Sequence, residues 1–175
     1  MVILLTVLAG FVAGLFFEYF LHRVYHSHNI GTHKEHHSDF FVLEPLSTAK
    51  RAHPLLEYSK YALIVFVALS WLALLIGVKF YLIFYAGMVF HLMVIYQAVH
   101  FLFHYDRYLP KFLTESRPYI WWRLCHIEHH WQSPRKNFSV SCPFIDMLFR
   151  TYAKPRDTYR TVPLKKKATA GVAAD

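Results

Sequence analysis

Long apolar runs constrain the fold of this chain more than any other feature. Residues 2–21 are apolar except for Thr6 and Glu18, and two further runs cover 61–78 and 80–99. About twenty apolar residues in one helix are enough to cross a bilayer. Lys79 separates the second run from the third, and one helix made of both would be longer than any bilayer is thick. We therefore predict about three transmembrane helices, the last two joined by a hairpin near Gly77.

Ten of the thirteen histidines lie in four short windows, at the ends of these runs or in the polar segments beside them. The windows alternate between HxxxH and HxxHH spacing. Residues three or four positions apart share one face of a helix, so each window can direct its imidazoles toward one point. The ten residues are His22, His26, His33, His36, His37, His100, His104, His126, His129 and His130.

A metal centre explains these windows better than ten separate structural histidines do. Neutral imidazole is a good ligand for iron, zinc, copper and nickel. Uncoordinated rings crowded together would gain nothing and would repel one another when protonated. Ten nitrogens are too many for one ion and fit two ions with five nitrogens each. Iron suits that number of ligands, and zinc can occupy the same site in a purified sample because it binds imidazole more tightly than Fe(II) does.

The distribution of positive charge places all four windows on one side of the membrane. Three spans bring the ends of the first and third runs, and the connection 27–57, to that side. It carries 18 of the 19 Lys and Arg residues, and only Lys79 lies opposite. The positive-inside rule makes this side cytoplasmic. The formal charge of +8 alone also fits a nucleic-acid-binding protein, but no recognised motif of that kind accompanies it.

Together these features predict an all-α integral membrane protein with about three transmembrane helices and a cytoplasmic helical cap that carries a histidine-rich dimetal site. Residues 1–162 form a single membrane-embedded domain in this prediction. Residues 163–175 are basic and then small, which is typical of a disordered tail. Tyr119, Trp121 and Trp122 indicate an interfacial helix with aromatic anchors.

Four further residues are assigned supporting roles. A carboxylate within an apolar span is costly unless it is paired, and Glu18 lies one helical turn before His22. We expect Glu18 to accept the ring N–H of His22 and so fix the tautomer of a metal ligand; a hydrated or protonated carboxylate is the alternative. His91, Tyr96 and Gln97 are candidates for a substrate channel, although a helix–helix hydrogen bond is the favoured role of His91.

Several segments around the windows resemble one superfamily of membrane enzymes. Residues 18–23 read EYFLHR, 100–105 read HFLFHY and 137–152 read NFSVSCPFIDMLFRTY. With the four windows in this order, they resemble the fatty acid hydroxylase/sterol desaturase superfamily over residues 15–155. Ser139 and Arg150 stand where that superfamily usually has glycine. Larger members also carry an additional span before the first window. These departures leave the subfamily open.

The resemblance implies an O2-dependent, non-haem di-iron enzyme that hydroxylates or desaturates a lipid, in the first place a fatty acyl or sterol-like lipid. It also implies that the ten window histidines are the metal ligands. His28 follows the first window closely in the sequence and is an alternative to His26. No flavin or haem motif is present, so an external reductant is needed. A ferredoxin or cytochrome b5 attracted by the basic face would serve.

Two other functions stay open at this point. A carotenoid ring hydroxylase has a similarly short chain and related histidine windows. A membrane metal-binding or transport protein without oxygenase activity is the alternative from another class. A transporter is expected to hold its ligands within the spans near the middle of the membrane, whereas these ligands lie at span ends and in adjoining polar segments, which favours an enzyme.

Overall fold

The computed structural model describes residues 1–28, 54–104, 108–131 and 135–155. Within these ranges the secondary structure is helical and contains no strand, which confirms the all-α prediction for this part of the chain. The elements are α1 (Val2–His28), α2 (Pro54–Ala68), α3 (Leu72–Ile76), α4 (Val78–Phe90), a π-helical segment (His91–Ile95), α5 (Tyr96–His104), α6 (Lys111–Thr114), α7 (Arg117–Trp131) and α8 (Pro143–Leu148).

Two helices in the described ranges are long and apolar enough to cross a membrane. The first spans Val2–Ser27, and the second spans Val78–His104, which joins α4, the π-helical segment and α5. The run predicted as the remaining span, 61–78, is divided between α2 and α3 by a turn. Ser70 supports this turn, because its hydroxyl donates to the Val67 carbonyl at 2.8 Å and so competes with continued helix.

The chain turns again at Gly77, where the sequence predicts the hairpin. Gly77 has a φ of 82°, a conformation that glycine adopts without the steric cost that a side chain brings. Tyr81 then donates its hydroxyl to the Phe66 carbonyl, which ties α4 back to α2. The second long helix therefore begins at Val78, two residues before the predicted start.

Glycines let α1 pack closely against α4 and the π-helical segment. A Cβ on Gly10 would lie 1.9 Å from the Phe84 carbonyl oxygen, and one on Gly14 would lie 2.8 Å from the Cβ of His91. The two glycines have the GxxxG spacing that is typical of close transmembrane helix pairs. Later residues of α1 meet later residues of the second helix, so the two run parallel. Their C-terminal ends, with the HxxxH windows, consequently lie at the same end of the molecule.

Helix α7 is attached to the C-terminal part of α5. Arg123 Nε donates to the Phe103 carbonyl at 2.8 Å, and the Tyr119 hydroxyl donates to the Leu102 carbonyl at 3.2 Å. Trp122 donates its indole N–H to a carbonyl of the segment that follows α7, at 2.6 Å. Tyr119 and Trp122 thus hold α7 to the rest of the protein, a role that the prediction of interfacial anchors did not include.

Candidate metal centre

Seven of the ten predicted ligands lie in the described residues, and the structure gathers them into two clusters. In each cluster the ligand nitrogens all lie within 4.8 Å of one another. The other three predicted ligands, His33, His36 and His37, lie outside the described residues. Site A denotes the cluster of His22, His26 and His129, and site B denotes the cluster of His100, His104, His126 and His130.

The HxxHH window of α7 supplies ligands to both sites. His126 and His130 belong to site B, whereas His129 belongs to site A. With 3.6 residues per turn, residues four apart differ by about 40° around the helix and adjacent residues by about 100°. His129 and His130 therefore point in different directions, although their ring centroids are only 5.7 Å apart. The spacing makes the two sites neighbours.

The hydrogen bonding of site A leaves ligand lone pairs facing one another. His22 Nδ1 lies 2.5 Å from the Phe138 carbonyl oxygen, and His129 Nδ1 lies 2.6 Å from the Lys136 carbonyl oxygen. A carbonyl only accepts, so each Nδ1 carries a proton, and a neutral ring then has its lone pair on Nε2. These two Nε2 atoms are 3.2 Å apart, and His129 Nε2 lies 2.9 Å from His26 Nε2. A cation bound between these nitrogens would remove the repulsion between their lone pairs.

Site B has a related arrangement. His126 Nε2 lies 3.1 Å from His104 Nε2 and 3.1 Å from His130 Nε2. A ring nitrogen carries either one proton or one lone pair, so it cannot satisfy both neighbours by ordinary hydrogen bonds. Adjacent ligands around an ion with bonds of about 2.1 Å are about 3.0–3.4 Å apart. Both donor sets therefore fit a metal ion bound by imidazole.

Thiolate is not part of either donor set. Cys125 lies next to His126 in the sequence, and burial, reinforced by the negative charge of Asp146, raises the pKa of its thiol to about 12. Metal binding requires the thiolate, which this environment disfavours. Imidazole without thiolate suits iron, zinc, copper or nickel.

A family model described as fatty acid hydroxylase matches residues 7–151. The chain belongs to the fatty acid hydroxylase family. No curated protein and no solved structure matches it. Membership confirms the resemblance and indicates an oxygenase-type enzyme of the lipid hydroxylase or desaturase kind. The two apolar helices indicate an integral membrane protein, and the two histidine clusters agree with the metal dependence of the fatty acid hydroxylase family.

In this fatty acid hydroxylase, Glu18 has partners other than the predicted one. Its Oε2 lies 2.8 Å from His91 Nε2, and its Oε1 accepts the backbone N–H groups of Val140 and Ser141 at 2.7 and 2.8 Å. The prediction of a direct bond to His22 is wrong, because the Phe138 carbonyl occupies the Nδ1 of that ring. Glu18 is nevertheless connected to His22 through the backbone, because it binds residues 140 and 141 and His22 binds the carbonyl of Phe138.

The three candidate channel residues differ in their surroundings. His91 is fully buried, contacts Glu18 on α1 and packs edge-on against Phe11, with ring centroids 4.8 Å apart. It therefore makes the helix–helix contact that the sequence favoured. Tyr96 is also buried. Gln97 is half-buried, and its Nε2 has no hydrogen-bond partner among the described residues.

The run that follows α7 forms a support beside site A. The side chain of Asn137 donates to the carbonyls of Cys125 and Ala153 at 3.1 and 2.9 Å and accepts the Ala153 N–H at 2.8 Å. Arg150 has a φ of 57°, in the left-handed region, which explains why the superfamily usually has glycine at this position. The spacing of the histidines does not reveal these supporting residues, although the resemblance of residues 137–152 to the superfamily already points to the segment.

Proposed function

We propose that the protein is an O2-dependent, non-haem di-iron membrane oxygenase that hydroxylates or desaturates a fatty acyl or sterol-like lipid. The observation that carries the proposal is the pair of neighbouring imidazole clusters at the ends of two long apolar helices. Family membership supports the reaction class. The number of ligands supports two ions, and iron is the metal of this class that activates O2.

We assign all ten window histidines as ligands. Two ions with five nitrogens each leave two positions at site A and one at site B beyond the described ligands. The window 33–37 has the same HxxHH spacing as 126–130, which gives its first and last histidines to one site and the middle one to the other. By this repeat His33 and His37 complete site A and His36 completes site B, with His28 as an alternative at site A.

Iron held in these sites would supply the activation of O2 that an unactivated C–H bond requires. The residues of the chain prepare the sites for it. The carbonyls of Lys136 and Phe138 fix the tautomers of His129 and His22, so that both rings present Nε2 to the ion. His22, His126 and His129 are buried, which excludes water and the competing reactions that water allows.

The parallel arrangement of the two long helices supports a third membrane crossing. If both cross in the same direction, the chain between them has to return. Helices α2 and α3 lie between Pro54 and Ile76, and their residues from Tyr61 onward are apolar and supply that return. With three crossings both sites lie on the side that carries nearly all the Lys and Arg residues, which is the cytoplasmic side by the positive-inside rule.

The substrate and the reductant reach the centre from different directions in this proposal. A lipid enters from the bilayer and passes Tyr96 and Gln97, whose buried amide can donate to a polar group of the lipid. Electrons come from an external carrier such as a ferredoxin or cytochrome b5, which the basic cytoplasmic face attracts.

Mass spectrometry of host-cell lipids tests the function. Cells that express the wild type are compared with cells that express His129→Ala, which removes a site A ligand, and Glu115→Gln, which changes an exposed carboxylate. We expect lipids that gain one oxygen or lose two hydrogens only with the wild type and Glu115→Gln. A shift confined to carotenoids would favour the carotenoid hydroxylase. Identical lipids in all three, with two irons bound to the wild type, would favour the non-catalytic alternative.

A further inference from the structure

Two buried carboxylates bind four consecutive backbone N–H groups. Asp146 accepts the N–H groups of residues 138 and 139, each at 2.8 Å. Glu18 accepts those of residues 140 and 141 at 2.7 and 2.8 Å. Glu18 is 2% exposed and Asp146 is 0% exposed. Every N–H group from 138 to 141 is therefore held by a carboxylate, although Glu18 lies more than a hundred residues away in the chain.

The same stretch of backbone supplies the acceptors of site A. Residues 136–141 are called the support segment below. Its carbonyls at Lys136 and Phe138 accept from His129 and His22. The Phe138 ring packs against all three rings of site A, with centroid distances of 5.8 to 6.1 Å. Within the described residues, the support segment makes no comparable contact with the rings of site B.

We propose that Glu18 and Asp146 are positioning residues that hold the support segment in place for site A. This inference rests on the proposed metal centre. Hydrogen bonds to a charged acceptor are about twice as strong as neutral ones, so the two carboxylates hold the backbone of this segment firmly. The carbonyls of Lys136 and Phe138 then keep His129 and His22 in the tautomer and orientation that present Nε2. Neither carboxylate is a metal ligand, because both oxygens of Asp146 and Oε1 of Glu18 accept backbone N–H groups and Oε2 of Glu18 faces His91.

Each carboxylate is itself anchored at a second point. The other oxygen of Glu18 meets His91 at 2.8 Å, on the second long helix. Asp146 Oδ1 also accepts the Thr151 hydroxyl at 2.7 Å, and Thr151 lies 3.1 Å from the Tyr19 hydroxyl on α1. Glu18 and Asp146, together with the support segment that they hold, are called the clamp below. The clamp connects site A to both long helices. We therefore expect the two sites to respond differently when a carboxylate is changed.

Metal titration of the full-length apoprotein in detergent tests the clamp. Co²⁺ is added to the wild type, Glu18→Gln and Asp146→Asn, and binding is followed by calorimetry and visible absorption. His22→Ala and His100→Ala identify the steps of site A and site B. Asp146→Asn replaces one of its two acceptor oxygens by an NH2 donor. Glu18→Gln keeps an acceptor for both N–H groups but removes the charge that strengthens those bonds, so both changes weaken the hold on the support segment. We expect the affinity of site A to fall about 10- to 100-fold, as for other residues that orient metal ligands, and that of site B to stay unchanged.

Two further variants complete the test. Glu115→Gln changes an exposed carboxylate and should leave both steps unchanged. Thr151→Val keeps both carboxylates and removes one donor to Asp146, so a smaller loss confined to site A is expected. This variant decides the matter if the carboxylate variants do not fold. Equal weakening of both sites, or an unchanged site A, would overturn the clamp alone. A wild type without two binding steps would overturn the proposed dimetal centre and the clamp together.

Discussion

Site A and site B use the same kind of ligand but are held by different parts of the molecule. In site A, His22 and His129 come from separate helices and are oriented by backbone carbonyls of the support segment. In site B, the described ligands come from α5 and α7 alone, and side-chain to backbone bonds join these two helices directly. Site A therefore depends on an irregular segment and its carboxylates, whereas site B depends on helix packing.

Substitution of the predicted metal ligands should produce the largest difference in metal affinity between the two sites. His36→Ala should weaken metal binding at site B and His33→Ala should weaken it at site A, because the repeated HxxHH spacing assigns these residues to opposite sites. We expect both variants to lose lipid turnover, since neither leaves a complete pair of ions. Co²⁺ titration against the His22→Ala and His100→Ala references measures which step each variant weakens. The reverse assignment, or full turnover of either variant, would refute the assignment.

A substitution between the long helices should weaken both sites together. An alanine at Gly10 would place Cβ 1.9 Å from the Phe84 carbonyl oxygen, so α1 and α4 would have to separate. Overpacking of this kind typically costs about 1–3 kcal/mol. We expect a lower unfolding temperature in detergent and reduced metal affinity at both sites. Val12→Ala, at a half-exposed position of α1, is the matched control and should change neither. An effect on one site only would contradict this account.

The smallest effect concerns Cys125, which lies near Asp146 and reports on the dry surroundings of the support segment. With its pKa raised to about 12 by burial, the thiol is about four units from ionising at pH 8, so about one molecule in ten thousand carries the thiolate there. Iodoacetamide at pH 8 should therefore modify the half-buried Cys142 and leave Cys125 intact in the folded protein. Mass spectrometry of tryptic peptides measures this. Alkylation should reach Cys125 only after denaturation, and equal modification in the folded state would show that the region is open to solvent.

The residue types and their spacing in the sequence were sufficient to predict the two long helices and to predict which histidines share a site. Apolar runs predict spans because length and composition alone determine whether a helix can cross a bilayer. Spacing of three and four residues predicts that His22 and His26, or His100 and His104, share a face, and the structure places each pair in one site. The family resemblance was also available, because it depends on short segments of fixed order.

Other features depended on contacts between distant parts of the chain. The turn at Ser70 divides an apolar run that appears continuous in the sequence. Glu18 bonds to His91 and to the support segment and not to His22. These partners depend on how α1 packs against the second long helix and against the segment after α7.

The amino-acid sequence by itself determined which side chains can bind metal and which helices carry them. Only the tertiary structure decided how α7 divides its histidines between two sites and which groups orient the rings. The physical reason is that the orienting groups are backbone carbonyls and N–H groups, as at Lys136 and Phe138. Every residue has such a carbonyl, so its role follows from where the folded chain places it and not from the residue type.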